Sequence, residues 1–119
     1  MANENATSTG NAAEDVALAW LIDRGLEIVE RNFRCKMGEI DLIMIDGNTL
    51  VFVEVRLRNN RRHLTGAESI TSAKIRRLIR TAQYFLQTHP RIGDLEYRFD
   101  VMSMGSTVDW IQDAFTLDG

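Results

Sequence analysis

The sequence predicts one α/β domain with a mixed sheet, in the order helix, three strands, helix, two strands. Two stretches repeat apolar residues at helical spacing and predict helices. Five short stretches rich in Val, Ile and Leu predict strands. The chain has 119 residues, enough for one hydrophobic core. Three strands in succession favour an antiparallel meander covered by the helices, and the strand after the second helix can lie parallel to one of them.

The first helix is predicted over residues 11–24 and ends at Gly25, a residue that commonly follows a last helical turn. Glu14 lies at the border of the apolar face of this helix, where an acid can point inward. Residues 1–10 are polar and small, so we expect a disordered lead there and a single domain over residues 11–119.

The five strands are predicted from β-branched and apolar runs that end at turn residues. They are expected at residues 26–34, 39–45, 49–57, 95–104 and 107–112. Asp46, Gly47 and Asn48 form the turn between the second and third strands. Thr71 is a good cap for a second helix that runs to about Thr88 with a continuous apolar stripe.

Composition excludes several classes of protein. A single cysteine, Cys35, rules out an internal disulfide and a metal site built from thiolates. No apolar run is long enough to span a bilayer, so no membrane association is expected. The N-terminal residues have neither a basic start nor an apolar stretch and do not resemble a secretory signal, which predicts a cytoplasmic protein.

Basic residues concentrate in the second half of the chain although the net charge is −3. Residues 56–91 contain nine Arg or Lys and one acid, and such a local positive field can attract phosphates. Arg58, Arg61 and Arg62 stand in a polar loop and are candidates to contact a nucleic-acid backbone, with a plain solvated loop as the alternative. Lys74 flanks the apolar stripe of the second helix and can point toward the sheet.

The second and third strands form a hairpin that brings acidic residues together. A two-residue turn at Gly47 and Asn48 places Asp41 opposite Glu54 and Glu39 opposite Arg56. It also places Ile40 on one face with Leu42 and Met44. If Asp46 and Gly47 were the central pair instead, Glu39 would face Glu54.

Two carboxylates side by side need a proton, a basic side chain or a cation to neutralise them. A hard cation such as Mg²⁺ takes carboxylate oxygens, keeps waters for substrate phosphates and can assist phosphodiester cleavage. The alternative is a solvated sheet face on which Glu39, Asp41 and Glu54 pair with Arg56 and Arg58. Spacing alone leaves both interpretations open.

Four motifs resemble the YraN family of small bacterial proteins, which are similar to archaeal Holliday-junction resolvases in the PD-(D/E)XK nuclease-like superfamily. The motifs are residues 31–34 (RNFR), 38–43 (GEIDLI), 51–56 (VFVEVR) and 98–101 (RFDV). The resemblance covers about residues 11–115. It implies a restriction-endonuclease-like core in the order helix, three strands, helix, strand, which agrees with the order predicted above.

The resemblance implies roles for particular residues. Glu14, Asp41 and Glu54 would bind Mg²⁺ or Mn²⁺ or hold metal-bound water, in an endonuclease acting on branched DNA as a homodimer. The catalytic lysine of the superfamily falls on Arg56, which keeps the charge but cannot give up a proton at accessible pH.

Because position 56 is an arginine and not a lysine, three functions are to be compared. The first is a metal-dependent endonuclease, in which Lys74 could assist from the second helix. The second is a catalytically deficient nucleic-acid-binding module of the same fold. The third is a protein-interaction scaffold, in which acidic and basic faces pair with another chain.

Overall fold

The computed structural model describes residues 4–58 and 70–116. In chain order the elements are α1 (Glu4–Asp23), β1 (Glu27–Cys35), β2 (Gly38–Asp46), β3 (Thr49–Leu57), α2 (Ser72–Thr88), α3 (Pro90–Gly93), β4 (Glu96–Met104) and β5 (Val108–Phe115). The predicted α/β class is confirmed, and the order of strands and long helices is compatible with a nuclease-like core.

Two ends and one additional helix differ from the sequence-based expectation by more than a residue or two. Helix α1 begins at Glu4 rather than near residue 11. Strand β5 continues to Phe115, beyond the predicted end at residue 112. A short helix, α3, follows α2 directly, because Pro90 supplies the fixed φ that suits a first helical position.

The sheet contains the five strands in their chain order, β1-β2-β3-β4-β5. Strands β1, β2 and β3 form the predicted antiparallel meander, and β5 is antiparallel to β4. Strand β4 runs parallel to β3, because α2 carries the chain back to the end of the sheet from which β3 starts. The sheet is therefore mixed, and its parallel pair shares β3 with the acidic hairpin.

Each face of the sheet buries its own apolar cluster. The α1 cluster includes Ala17 and Leu21 of the helix and Leu42, Met44 and Val53 of the sheet. The α2 cluster lies on the opposite face, beneath the second helix. Its buried members are Phe33, Ile40, Ile43, Leu50, Phe52, Leu78, Ala82, Phe85 and Phe99. The two long helices thus cover opposite faces of the sheet. Because the sheet separates them, residues of both helices can meet only beyond its packed centre, at an end of the strands.

Thr71 determines where α2 begins. Its side-chain oxygen accepts a hydrogen bond from the Lys74 backbone N–H at 3.2 Å, which satisfies one of the free N–H groups of the first turn. Leu78, Ala82 and Phe85 are buried on the predicted apolar stripe. The cap and the stripe together determine which side of α2 Lys74 occupies.

No helix within residues 4–58 and 70–116 is both long and apolar enough to cross a membrane.

Candidate acidic site between the two helices

The hairpin of β2 and β3 has the register that a two-residue turn predicts. Asp46 pairs with Thr49 and the ladder continues to Leu42 and Val53, with Gly47 in the left-handed region at φ +62°. The other register, which would have placed Glu39 opposite Glu54, is therefore wrong.

Counted from the turn, the last pair of the ladder is Leu42 with Val53, and Asp41 is the next residue of β2. The Val55 N–H donates to Oδ2 of Asp41 at 2.8 Å, so a side chain takes this backbone donor where the strands part. Ile40 lies in the α2 cluster although Leu42 and Met44 lie in the α1 cluster. The prediction that these three share a face is wrong, because regular alternation does not continue through Asp41.

Asn32 of β1 stands opposite Asp41, between the pairs Arg31–Leu42 and Phe33–Ile40. Its φ of 53° is left-handed, a conformation that Asn tolerates better than most residues. Arg31 contacts α1, whereas Phe33 packs in the α2 cluster, so β1 changes face at the same level as β2. This shared irregularity lies at the end of β2 and β3 away from their turn, where the acidic residues meet.

Asp41 and Glu54 form a carboxyl pair at this end of the strands. Glu54 is 5% exposed, and Asp41 lies close enough to it for the two charges to interact. Burial raises the pKa of Asp41 to about 8, with further contributions from the negative charges of Glu54 and Glu14, while the Val55 N–H acts in the opposite direction. The solvated-face interpretation of these acids is therefore wrong for Glu54, and the pair holds a proton at neutral pH.

Two cationic side chains approach Glu54. The Lys74 ammonium, from the first turn of α2, lies 3.3 Å from Oε2 of Glu54. The Arg56 guanidinium lies 3.9 Å from the same oxygen. Lys74, which the sequence suggested can point toward the sheet, thus reaches Glu54.

Glu14 comes to the site from α1. It is buried, as its border position suggests, and both of its carboxylate oxygens accept hydrogen bonds from Nδ2 of Asn32, at 3.0 and 3.3 Å. The same amide donates to Glu39 at 3.2 Å, and Arg31 lies 3.5 Å from Glu14. Asn32 therefore links two acids of the site.

Sequence reasoning missed Asn32 as a site residue. The signal was present, because an Asn between Arg31 and Phe33 interrupts the apolar alternation of a predicted strand, and Asn is common at left-handed positions.

The donor set suits a hard cation only in part. Within residues 4–58 and 70–116, no three acidic, histidine or cysteine side chains are grouped closely enough to hold one metal ion. Mg²⁺ and Mn²⁺ need only one or two carboxylates, because waters and substrate phosphates complete the coordination shell. The Asp41–Glu54 pair meets that requirement, whereas Glu14 is already bound to Asn32.

Arg58, a candidate from the sequence for a nucleic-acid contact, is bound within the protein. Its Nη1 donates to the Ser103 carbonyl at 2.8 Å and its Nη2 to the Thr107 carbonyl at 2.7 Å. Asp109 forms an ion pair with it at 3.1 Å. Arg58 thus joins the end of β3 to the end of β4 and the β4–β5 turn. Its side chain is only 18% exposed, so these carbonyls take the place of water as hydrogen-bond acceptors. Arg61 and Arg62 lie outside the described residues.

Comparison with known proteins finds one family and many relatives. The profile described as "Uncharacterised protein family UPF0102" matches residues 13–104. A UPF0102 protein of Ralstonia nicotianae is 50% identical, over 95% of this chain and 90% of its own length. UPF0102 proteins of Alcanivorax borkumensis and Stutzerimonas stutzeri are 46% and 43% identical, over 91% of this chain and 91% and 94% of their own lengths.

Proposed function

This chain belongs to the UPF0102 family, and we propose that it is a divalent-metal-dependent endonuclease that acts on DNA at the Asp41–Glu54 carboxyl pair. The resemblance to the bacterial YraN family is confirmed by these relatives. The family description names no activity, so the proposal depends on the geometry of the site.

One observation carries the proposal: the buried Glu54 carboxylate lies beside Asp41 where β2 and β3 part, with the Lys74 ammonium 3.3 Å from Oε2 of Glu54. Keeping two acids together and largely out of water costs free energy unless something neutralises them. In the metal-free protein a proton on Asp41 does so. A divalent cation would replace that proton and leave both carboxylates as ligands.

A bound Mg²⁺ or Mn²⁺ would polarise the phosphodiester and lower the pKa of the attacking water. The chain's own residues would do the rest. Asp41 and Glu54 would hold the cation, and Asn32 keeps Glu14 directed at the same end of the strands. Lys74 can donate or accept a proton at Nζ, which Arg56 cannot do at accessible pH, whereas Arg56 can bind a phosphate oxygen with its guanidinium.

Charge around the site supports a nucleic-acid substrate. Two cationic side chains, Arg56 of β3 and Lys74 of α2, lie beside Glu54, and Arg31 of β1 lies 3.5 Å from Glu14 of the same site. Positive charge beside an acidic centre attracts a polyanion and positions its phosphates. This combination favours a phosphodiester over a neutral or cationic substrate. Branched DNA, a homodimer and a cytoplasmic location remain predictions from the sequence.

Binding without cleavage is the second candidate. It is favoured by the lack, within the described ranges, of three grouped metal ligands and by the arginine at position 56. In that case the same surface would hold nucleic acid and the carboxyl pair would retain its proton. Introducing Arg56→Lys separates the two functions, because gain of cleavage would show that binding and metal ligation were already in place.

The test combines metal binding with cleavage. Calorimetric titration with Mn²⁺ is expected to show binding that Asp41→Ala abolishes. Single-stranded, duplex and four-way-junction DNA are then incubated with Mg²⁺, with Mn²⁺ or with EDTA. We expect metal-dependent cleavage that falls by roughly 100-fold or more in Lys74→Ala, in line with the loss of a general acid or base.

Arg76→Ala is the matched control for Lys74→Ala, since Arg76 is an exposed cation on the same helix. Cleavage that survives Asp41→Ala, or that falls equally in the Arg76 and Lys74 variants, would contradict the proposed site. Mn²⁺ binding and DNA binding without any cleavage would support the second candidate.

A further inference from the structure

A pocket of about 410 Å³ lies between the β1–β2 turn and α2. Its walls are Arg34 and Cys35 at the end of β1, Lys36 and Met37 of the turn, and Tyr84 of α2. The volume falls in the range of about 300–1,000 Å³ that is usual for small-molecule sites. We call this feature the hairpin pocket.

The two walls of the hairpin pocket are held against each other. A Cβ built at Gly38 would lie 3.1 Å from Oγ1 of Thr81 and 3.6 Å from Cβ of Arg77, so the turn packs directly on α2. The φ of Gly38 is +153°, which also favours glycine. The pocket is therefore built from two elements that pack directly against each other.

The chemistry of the hairpin pocket combines an aromatic ring with cations. Tyr84 is 41% exposed, and one side of its ring is supported by Phe33 at a centroid distance of 6.3 Å. Arg34 and Lys36 are exposed at the rim. An exposed ring beside cations is the arrangement with which proteins stack an unpaired base and hold its phosphate.

A continuous chain of polar contacts connects the hairpin pocket to the acidic site. Arg34 lies 3.5 Å from Glu39, and Glu39 accepts a hydrogen bond from Asn32, which also donates to Glu14. Gly38 and Asp41 are three residues apart on one strand, a separation of about 10 Å along its axis. A strand of nucleic acid could therefore contact both within a few nucleotides.

We propose that the hairpin pocket binds an unpaired base and the adjoining phosphate of single-stranded DNA, with the base on Tyr84 and the phosphate on Arg34 and Lys36. This inference rests on the proposed function and specifies its substrate, because a base can enter the pocket only where the strand is not paired. The favoured substrates are then single strands, or duplex DNA with an unpaired stretch beside the phosphodiester at the acidic site.

The test measures fluorescence anisotropy in EDTA with a labelled single-stranded oligonucleotide of about 12 nucleotides and a duplex of the same length. We expect Tyr84→Ala to raise the single-strand Kd roughly tenfold and to leave the duplex Kd nearly unchanged. Tyr84→Phe should keep the wild-type Kd, because the stacking surface remains. Lys36→Ala should reduce the slope of log Kd against log salt by about 0.7.

Arg24→Ala is the matched control for Lys36→Ala, because Arg24 is an exposed cation that follows α1 on the other face of the sheet. Wild-type binding that Tyr84→Ala and Lys36→Ala leave unchanged would overturn the pocket assignment while the proposed function stands. A wild-type protein that binds neither probe would overturn the proposed function itself. Equal weakening by Lys36→Ala and Arg24→Ala would also contradict the pocket.

Discussion

Replacing Asp41 with Asn should remove a pH dependence from the stability of the metal-free protein. The folded protein holds a proton on Asp41 with a pKa of about 8, against 3.8 for an ordinary aspartate. Between these values the folded state binds one proton more than the unfolded chain, so stability falls as pH rises toward 8 and then levels off. The amide introduced by Asp41→Asn would keep an acceptor for the Val55 N–H and would gain a donor for Glu54.

The magnitude follows from the proton affinity. Each pH unit between the two pKa values changes the free energy of unfolding by about 1.4 kcal/mol, so the loss from about pH 6 to about pH 9 is roughly 2–3 kcal/mol. Urea denaturation in EDTA, followed by circular dichroism, measures this loss directly. Asp41→Asn should lack this dependence, so its stability relative to wild type should rise by that amount between the lower and the higher pH.

Asp23→Asn is the control, because the Asp23 side chain is 83% exposed at the end of α1. It should show the same slope of stability against pH as wild type. A wild-type protein whose free energy of unfolding stays flat over this pH range would refute the reasoning. So would an Asp41→Asn variant with the wild-type slope, since the titrating group would then lie elsewhere.

Three further substitutions test structural roles. Arg58→Ala should lower the free energy of unfolding by about 2–3 kcal/mol in urea titrations, because the carbonyls of Ser103 and Thr107 lose a charged donor. A variant that keeps its stability but loses DNA affinity would contradict this role. Asp100→Ala should cost about 3–5 kcal/mol by the same assay, since it removes one of the two carboxylates that pair with the mostly buried Arg98, and a near-neutral result would disprove that role. Phe85→Ala should lower the stability by about 3–5 kcal/mol through a cavity in the α2 cluster, visible as a reduced Tm in calorimetry, and an unchanged Tm would contradict the packing.

Much of the fold could be predicted because its signals are local. The cap at Thr71, the apolar stripe of α2 and the two-residue turn at Gly47 each depend on a few neighbouring residues. Strand β3 has the predicted bounds for the same reason. The N-terminal extension of α1 was missed because its polar, small residues carry no apolar periodicity.

The faces of the hairpin residues could not be predicted by alternation. Alternation assumes a regular ladder, and the ladder ends at Leu42 because Asp41 takes a backbone donor of β3. Arg58 illustrates the same limit, since its charge and its neighbours in the chain suggested a phosphate contact. Its acceptors, Ser103 and Thr107, lie far along the chain and are brought to it only by the parallel pairing of β3 with β4.

The sequence by itself determined that acids and a hairpin belong to one site. Asp41 and Glu54 were recognisable because a two-residue turn determines which residues of β2 and β3 lie side by side. Only the tertiary structure decided what surrounds them: Glu14 held by Asn32, and Lys74 brought onto Glu54 from α2. The physical reason is that strand pairing across a tight turn is a short-range constraint. The approach of α1 and α2 to this end of the strands depends instead on how two separate apolar clusters pack.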